Sequence, residues 1–157
     1  MKIILEGCDG TGKTTLAKIL ANEYGLDICH CTQYDAADFD FYRQTLRKDN
    51  VIWDRHTLGE LIYPQIFDRT AKLDENEAAS VMYHAKKEGV KFFVLTCSDD
   101  RIRRRLRKRG TEDPRIIQNV GYINHSFIHY AKAFGVPLID TSVMTLTDIF
   151  KLIEEDK

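Results

Sequence analysis

The sequence has no apolar run long enough to span a membrane, and neither repeats nor low-complexity stretches divide its 157 residues. No secretory leader or linker is evident either. We therefore expect one compact domain over residues 1–157, in the reducing cytoplasm and without membrane contact. A chain of this length buries roughly two thirds of its unfolded surface, so it needs no disulfide or metal to fold.

Cysteine is scarce, and all four cysteines lie in or beside apolar runs, as reduced thiols do. Cys29-His30-Cys31 contains metal-ligating residue types. However, neighbours on a strand point to opposite faces, and no second ligand pair follows at zinc spacing. We therefore expect no metal in this segment.

The chain also lacks an excess of charge, because its formal net charge is −1. Global attraction to nucleic acid is therefore not expected. Cations are concentrated locally instead, since seven of the nine residues from Arg101 to Arg109 are Lys or Arg. The sequence thus indicates local binding of phosphate.

Short apolar runs alternate with helical patterns along the chain. Five runs have strand length: Lys2–Leu5, Leu26–Cys31, Val51–Trp53, Lys91–Thr96 and Pro137–Asp140. Helices are predicted over 13–24, about 38–47, 57–67 and 99–109. A further helix is predicted from Asp74 to Gly89, because Asp74 and Glu77 form a capping box and Gly89 is a helix-ending residue. Its apolar face consists of Ala78, Val81, Met82 and Ala85. This order predicts an α/β fold with a five-stranded parallel sheet and helices on both faces. Together with the glycine-rich segment after the first strand, it predicts a P-loop-type three-layer sandwich.

The segment after the first strand matches the pattern G-x-x-x-x-G-K-[ST] of a phosphate-binding loop, here called the P-loop (residues 7–14). Its strand-loop-helix context is the one that the motif requires. Glycines let backbone N–H groups approach phosphates, and the helix dipole favours anions. The motif predicts ATP with Mg²⁺ as ligands. Lys13 is predicted to contact the β- and γ-phosphates, and Thr14 is predicted to bind Mg²⁺. The other predicted nucleotide-binding residues of the loop are Gly7, Gly10, Thr11, Gly12 and Thr15.

Leu5–Thr15 resembles the opening segment of thymidylate kinases and related nucleoside monophosphate kinases, "FEG-x-DG-x-GKTT". The resemblance implies that Asp9 accepts a hydrogen bond from the 3′-hydroxyl of the acceptor sugar. A loop-stabilising role for Asp9 is the alternative.

Trp53-Asp54-Arg55-His56, followed by Tyr63, is similar to the "DR[YSH]" motif of the same family. A carboxylate at the end of this strand can hold Mg²⁺ or its waters, which suits Asp54. Arg55 can bind an acceptor phosphate as a bidentate fork. A structural ion pair is the alternative for both residues.

Two later segments extend the resemblance. Arg105–Asp113 resembles the LID region of these kinases, which we place at about 98–116, but Pro114 stands where the family has an arginine and Arg115 follows one position later. Leu138–Ser142 resembles the final strand and adenine-side turn, which implies that Thr141 borders the donor base.

The acceptor region, about residues 32–50, departs from the family. Its "REPGG" segment is absent, because the chain reads Cys31-Thr32-Gln33-Tyr34-Asp35-Ala36. Gly59 and Pro64 replace the serine and glutamine near thymine, and Gln65 comes one residue late. Specificity for thymine is therefore not implied.

The basic helix over 99–109 begins after Ser98, a candidate N-cap, and is anchored by Ile102 and Leu106. At about 100° per residue, Arg109 lies nearest this apolar stripe and Arg103 and Arg105 flank it. Arg104 and Lys108 project away. We therefore expect Arg105 and Arg109, with Arg103, to contact phosphate, and assign catalytic roles to Lys13, Asp54, Arg55, Arg105 and Arg109.

The leading hypothesis is an ATP-dependent kinase of a (deoxy)nucleoside monophosphate, a small-molecule nucleotide acceptor. Arg43, Arg47, Arg55 and Arg69 favour an anionic acceptor. One alternative is a kinase of a hydroxyl on a nucleoside or on a modified base in DNA, which needs a base such as Asp35 or Asp54. Another is a nucleotide-binding regulator. A homodimer is left open.

Overall fold

The structure is a computed structural model that describes residues 1–31, 38–110 and 113–156. Its strands are β1 (Lys2–Gly7), β2 (Asp27–His30), β3 (Val51–Asp54), β4 (Lys91–Thr96) and β5 (Leu138–Asp140). They form one parallel sheet in the order β2-β3-β1-β4-β5. The predicted five-stranded parallel α/β fold is confirmed.

Helices cover both faces of this sheet because alternate strand residues supply two apolar clusters. The helices are α1 (Lys13–Tyr24), α2 (Phe39–Thr45), α3 (Gly59–Phe67), α4 (Glu75–Lys87), α5 (Asp99–Arg109), α6 (Pro114–Gln118), α7 (Val120–Ala133) and α8 (Leu146–Glu155). Helices α1 and α8 pack on the face that contains Ile3 and Leu5. Helices α2 to α7 pack on the opposite face, around Ile4.

The strongest local signals in the sequence agree closely with the elements observed. Helices α1 and α5 and strand β4 have the predicted bounds. The capping box is formed: Asp74 accepts from the Glu77 N–H at 2.8 Å, and Glu77 accepts from the Asp74 N–H at 3.0 Å. Ser98 occupies the N-cap of α5, although its side chain makes no capping hydrogen bond. The α4 face of Ala78, Val81, Met82 and Ala85 is buried.

The division of residues 113–133 into α6 and α7 was not anticipated. Asp113 caps α6 by accepting a hydrogen bond from the Arg115 N–H, and Pro114 occupies its first turn. Proline is favoured there because the first helical N–H has no intrahelical partner. Pro114 therefore has a structural role where the family resemblance suggests a missing arginine.

The topology brings several loops together at the carboxyl edge of the sheet. Strand β1 is central, between β3 and β4, and the connections after β1 and β4 lead to opposite sides of the sheet. Ligands of open α/β sheets bind at such a switch point. Among the described residues, no helix combines the length and apolarity needed to cross a bilayer.

Candidate active site

The P-loop wraps closely around the end of β1. Gly7 and Gly10 have φ values of 136° and 85°, in the region that side chains disfavour. A Cβ at Gly7 would lie 2.3 Å from the Leu95 carbonyl oxygen, and one at Gly10 would lie 3.2 Å from Leu106. The glycines therefore let the loop pack directly against β4 and α5.

Lys13, the first residue of α1, folds back over this loop. Its ammonium donates to the carbonyl oxygens of Gly7, at 2.7 Å, and Cys8, at 2.9 Å. Burial lowers the pKa of Lys13, and the nearby Asp54 carboxylate opposes that shift. The Lys13 side chain is thus held against the P-loop by backbone carbonyl groups.

Thr14 and Asp54 bring two oxygen ligands together from different elements. The Thr14 hydroxyl donates to Asp54 Oδ2 at 2.5 Å, and Asp54 is almost fully buried at the end of β3. A hydroxyl beside a carboxylate fits the oxygen preference of Mg²⁺. His30, which sequence reasoning did not assign, places Nδ1 3.6 Å from the same carboxylate oxygen. Its sequence signals are its position at the end of β2 and its place in Cys29-His30-Cys31, a segment in which no metal was expected.

Asp9, Arg55 and Tyr63 form a second group, here called the acceptor cluster. Asp9 forms an ion pair with the Arg55 guanidinium and accepts a hydrogen bond from the Tyr63 hydroxyl at 2.9 Å. The Asp9 carboxylate is buried, whereas 46% of the Arg55 side chain is exposed. Three residues chosen from two separate motifs therefore meet beside the P-loop.

Beneath this cluster lie two buried titratable residues that the sequence analysis did not assign. Glu6 accepts hydrogen bonds from the N–H groups of His56 and Leu58, and burial raises its pKa to about 7. Burial also lowers the pKa of His56, to about 3. Two signals pointed to Glu6: it is a polar residue at the end of an apolar run, and it stands at the glutamate of the segment that resembles the nucleoside monophosphate kinases.

A cleft of about 600 Å³ opens beside the P-loop. Thr141 lies in its wall and donates a hydrogen bond to the Thr11 carbonyl oxygen at 2.9 Å. The wall combines loop residues, cations and aliphatic side chains: Gly10, Thr11, Gly12, Thr15, Leu16, Ile19, Arg105, Lys108, Arg109, Thr141, Met144, Leu146 and Ile149. We call this space the P-loop cleft.

The basic helix α5 contributes three cations to this cleft, two that were predicted there and one that was not. Arg105 donates to the Gly10 carbonyl oxygen at 2.9 Å, and Arg105 and Arg109 both line the cleft. Lys108 also lines it, so the expectation that Lys108 projects away is wrong. The helical projection referred only to the buried stripe, whereas the cleft lies to one side of it and a long lysine reaches it.

Arg103 likewise departs from the prediction. Its guanidinium lies 3.5 Å from Asp100, and it lines a different cavity with Asp99 and Asn124. Arg104 is exposed and does not line the P-loop cleft. Among the predicted phosphate-contacting arginines of α5, Arg105 and Arg109 are therefore the ones at the P-loop.

Three of the four arginines that favoured an anionic acceptor lie elsewhere. Arg69 makes a bidentate pair with Glu60, at 2.9 and 2.8 Å. Arg43 and Arg47 line a cavity between α2 and α4. Of this set, Arg55 is the one beside the P-loop, so the charge argument for a phosphate acceptor rests on one residue.

Arg115, the proposed substitute for the LID arginine, is also engaged. It pairs with Asp113 at 2.7 Å and lies over the ring of Phe67, 4.8 Å from its centroid. The hydrogen bonds from Arg115 lower the pKa of Asp113 to about 2. Residues 32–37, which include Asp35, and residues 111–112 of the LID match lie outside the described residues.

A parallel sheet of this order, with a glycine-rich phosphate loop after its central strand, defines the P-loop fold found in nucleoside and nucleotide kinases. The AAA_18 family model, described as "AAA domain", matches residues 3–122. The chain belongs to this family.

Similar proteins include one curated relative and several solved structures. Cytidylate kinase 2 of Borreliella afzelii (strain PKo) is 35% identical over 63 aligned residues. The match covers 36% of this chain and 35% of that protein, so it spans about a third of the relative's length. The solved structure of YorR protein from Bacillus subtilis, in complex with phosphorylated GDP, is 25% identical, with a TM-score of 0.80 over 98% of this chain and 96% of that one. Deoxyadenosine kinase from M. mycoides, with products dCMP and a flexible dCDP bound, is 16% identical, with a TM-score of 0.63 over 99% and 98%.

Proposed function

We propose that this chain is an ATP-dependent kinase that transfers the γ-phosphoryl group to a (deoxy)nucleoside monophosphate. The observation that carries the proposal is the convergence of three groups at one sheet edge: Lys13 on the P-loop, the Thr14–Asp54 pair and the acceptor cluster. Donor phosphates, a metal ion and an acceptor would meet there. The cytidylate kinase relative supports a nucleotide acceptor.

On the donor side, the P-loop N–H groups and the Lys13 ammonium would bind the β- and γ-phosphates of ATP. Lys13 would exchange its two carbonyl contacts for phosphate oxygens. Arg105 and Arg109 would stabilise the charge that spreads over the transferred group. Thr14 and Asp54 would hold Mg²⁺, which neutralises phosphate charge when it is bound.

The base of the donor would occupy the aliphatic part of the P-loop cleft. Leu16, Met144 and Ile149 line that part, and Thr141 borders it. A planar base between aliphatic side chains buries apolar surface on both of its faces. This arrangement supports the donor-side assignment of Thr141.

On the acceptor side, Asp9 would accept a hydrogen bond from the sugar 3′-hydroxyl while Arg55 binds the acceptor phosphate. That phosphate is already anionic, so the attack needs no general base. The partial exposure of Arg55 leaves its guanidinium accessible to such a ligand. A thymidylate kinase-like acceptor site is the finer proposal, and it rests on the segments around Asp9 and Asp54.

One observation favours a second candidate, a kinase of a hydroxyl group. Since Arg43, Arg47 and Arg69 lie away from the P-loop, the site carries less positive charge for an acceptor phosphate than the sequence indicated. Asp54, with His30 beside it, would then supply the base. Nucleosides and modified bases in DNA are the acceptors of this candidate.

A transfer assay with labelled ATP and magnesium decides between the candidates. The acceptor panel comprises the natural ribo- and deoxynucleoside monophosphates, the matching nucleosides, and oligonucleotides with and without hydroxymethylated bases. Transfer to monophosphates alone supports the leading proposal, and its preferred base tests the thymidylate-like site. Transfer to nucleosides or oligonucleotides favours the second candidate, and no transfer to any acceptor contradicts both.

A further inference from the structure

Glu6 is an ionisable residue whose side chain lies in the protein interior. It lies next to the end of β1, between Leu5 and Gly7, and its relative solvent exposure is 0%. Buried carboxylates are rare because desolvation disfavours them unless hydrogen bonds compensate. The contacts of Glu6 therefore indicate what it stabilises.

Those contacts are with the turn that follows β3, residues 55–58. The Arg55 N–H donates to the Leu5 carbonyl oxygen at 3.0 Å, the last ladder-type bond between the two segments. Beyond it, Glu6 Oε1 accepts from the N–H of His56 at 3.0 Å and of Leu58 at 2.7 Å. One carboxylate oxygen thus continues the attachment of β3 to β1 after the sheet itself has ended.

This turn carries Arg55 in an uncommon backbone conformation. Its φ of 74° lies in the left-handed region, which is strained for a residue with a side chain and persists only where neighbours enforce it. The hydrogen bonds to Leu5 and Glu6 fix the N–H groups on either side of the Arg55 carbonyl. In this conformation the guanidinium pairs with Asp9.

We propose that Glu6 is a positioning residue for the acceptor: it contacts no substrate and acts by holding the 55–58 turn so that Arg55 faces Asp9. The inference rests on the proposed function, in which Arg55 binds the acceptor. The two carboxylate oxygens of Glu6 differ in their contacts. Oε1 accepts both hydrogen bonds from the turn, whereas Oε2 is buried and has no hydrogen-bond partner among the described residues. Oε1 alone therefore does the positioning, and an amide oxygen can replace it.

The test compares Glu6→Gln, which retains an oxygen acceptor, with Glu6→Met, which is similar in length and cannot accept these hydrogen bonds. In Glu6→Met, kcat/KM for the acceptor is expected to fall by about 10²-fold, the effect of misplacing a binding group by about 1 Å, while the KM for ATP stays unchanged. Glu6→Gln should restore most of the loss. An equal loss in both variants, or an equal rise in both KM values, overturns the proposal.

Two further measurements separate positioning from general destabilisation. Leu20→Ala, in the core on the opposite face of the sheet, lowers stability without touching the turn, so its KM for the acceptor should not change. In a double-mutant cycle, Glu6→Met should cost little once Arg55 is already alanine. Additive losses in that cycle would mean that Glu6 does not act through Arg55.

Amide hydrogen exchange without substrate distinguishes failure of this inference from failure of the proposed function. The His56 and Leu58 amides should exchange faster in Glu6→Met than in Glu6→Gln, whether or not any acceptor is phosphorylated. If Glu6→Met does not fold, Glu6→Asp takes its place, because its shorter side chain cannot reach both N–H groups. Unchanged protection overturns the role of Glu6 in holding the turn even if the kinase assay succeeds.

Discussion

The proposed donor and acceptor sides of the site are held together in different ways. On the donor side, side chains bind backbone carbonyls of the P-loop: Lys13 binds Gly7 and Cys8, Arg105 binds Gly10, and Thr141 binds Thr11. On the acceptor side, side chains mostly bind other side chains. Asp9 pairs with Arg55 and Tyr63 there.

Because of this difference, a short sequence motif can specify the P-loop but cannot specify the acceptor cluster. Backbone carbonyls are present whatever the sequence, so glycines and one lysine suffice to define a phosphate loop. A cluster of side chains depends on the identity of every member. We therefore expect donor-side substitutions to reduce the rate with any acceptor, and acceptor-side substitutions to change which acceptors are used.

The largest effect is expected for Lys13→Ala, which removes the cation nearest the P-loop carbonyls. The rate of transfer should fall by more than about 10³-fold with every acceptor, because charge on the transferred phosphate loses its stabilisation. Steady-state assays with several acceptors measure this loss. Lys18→Ala, on the exposed side of the same helix, is the matched control and should retain activity. Activity above about a tenth of wild type in Lys13→Ala would contradict the P-loop assignment.

Somewhat smaller losses are expected from α5, where neighbouring cations can partly replace one another. The double variant Arg105→Ala with Arg109→Ala should lower kcat by about 10²–10³-fold and weaken ATP binding much less. Because Lys108 lines the cleft, the matched control is Arg104→Ala with Arg107→Ala, two exposed residues outside the cleft wall. Exposed charges contribute little individually, so this control should stay near wild type. Equal losses in the two double variants would remove the catalytic role from Arg105 and Arg109.

The same contrast explains how far the sequence could be interpreted. Local signals were sufficient for the parallel sheet, for the bounds of α1, β4 and α5, and for the P-loop. The bidentate engagement of Arg69 by Glu60 was not predictable, because Glu60 lies in the first turn of α3 and Arg69 lies nine positions later, beyond the end of that helix. Glu6 was missed for a similar reason, since its partners are backbone N–H groups about 50 positions away. Contacts of this kind follow from topology, not from any pattern in the chain.

An intermediate effect is expected at Asp9, on the acceptor side. A hydrogen bond to a charged acceptor contributes about 1.5–3 kcal/mol, so Asp9→Asn should lower kcat/KM for the acceptor by roughly 10- to 100-fold. The KM for ATP should change much less. Wild-type enzyme should likewise prefer acceptors with a 3′-hydroxyl to their 3′-deoxy analogues, and Asp9→Asn should lose that preference. Equal use of both analogues by the wild type would mean that Asp9 does not read the sugar.

The smallest effect concerns stability, and it tests whether the acceptor side depends on a titrating group. Burial raises the Glu6 pKa from 4.5 to about 7, so between these values the folded state binds more protons than the unfolded state. The contribution of Glu6 to the free energy of unfolding therefore decreases as the pH rises through this range. Glutamine does not titrate, so the stability of Glu6→Gln relative to wild type should increase by about 2 kcal/mol from about pH 5 to about pH 7. Urea unfolding of both proteins at these two pH values measures the difference. Because the contribution of His56 is present in both proteins, it cancels from the comparison, and a constant difference between wild type and variant would show that Glu6 does not titrate in this interval.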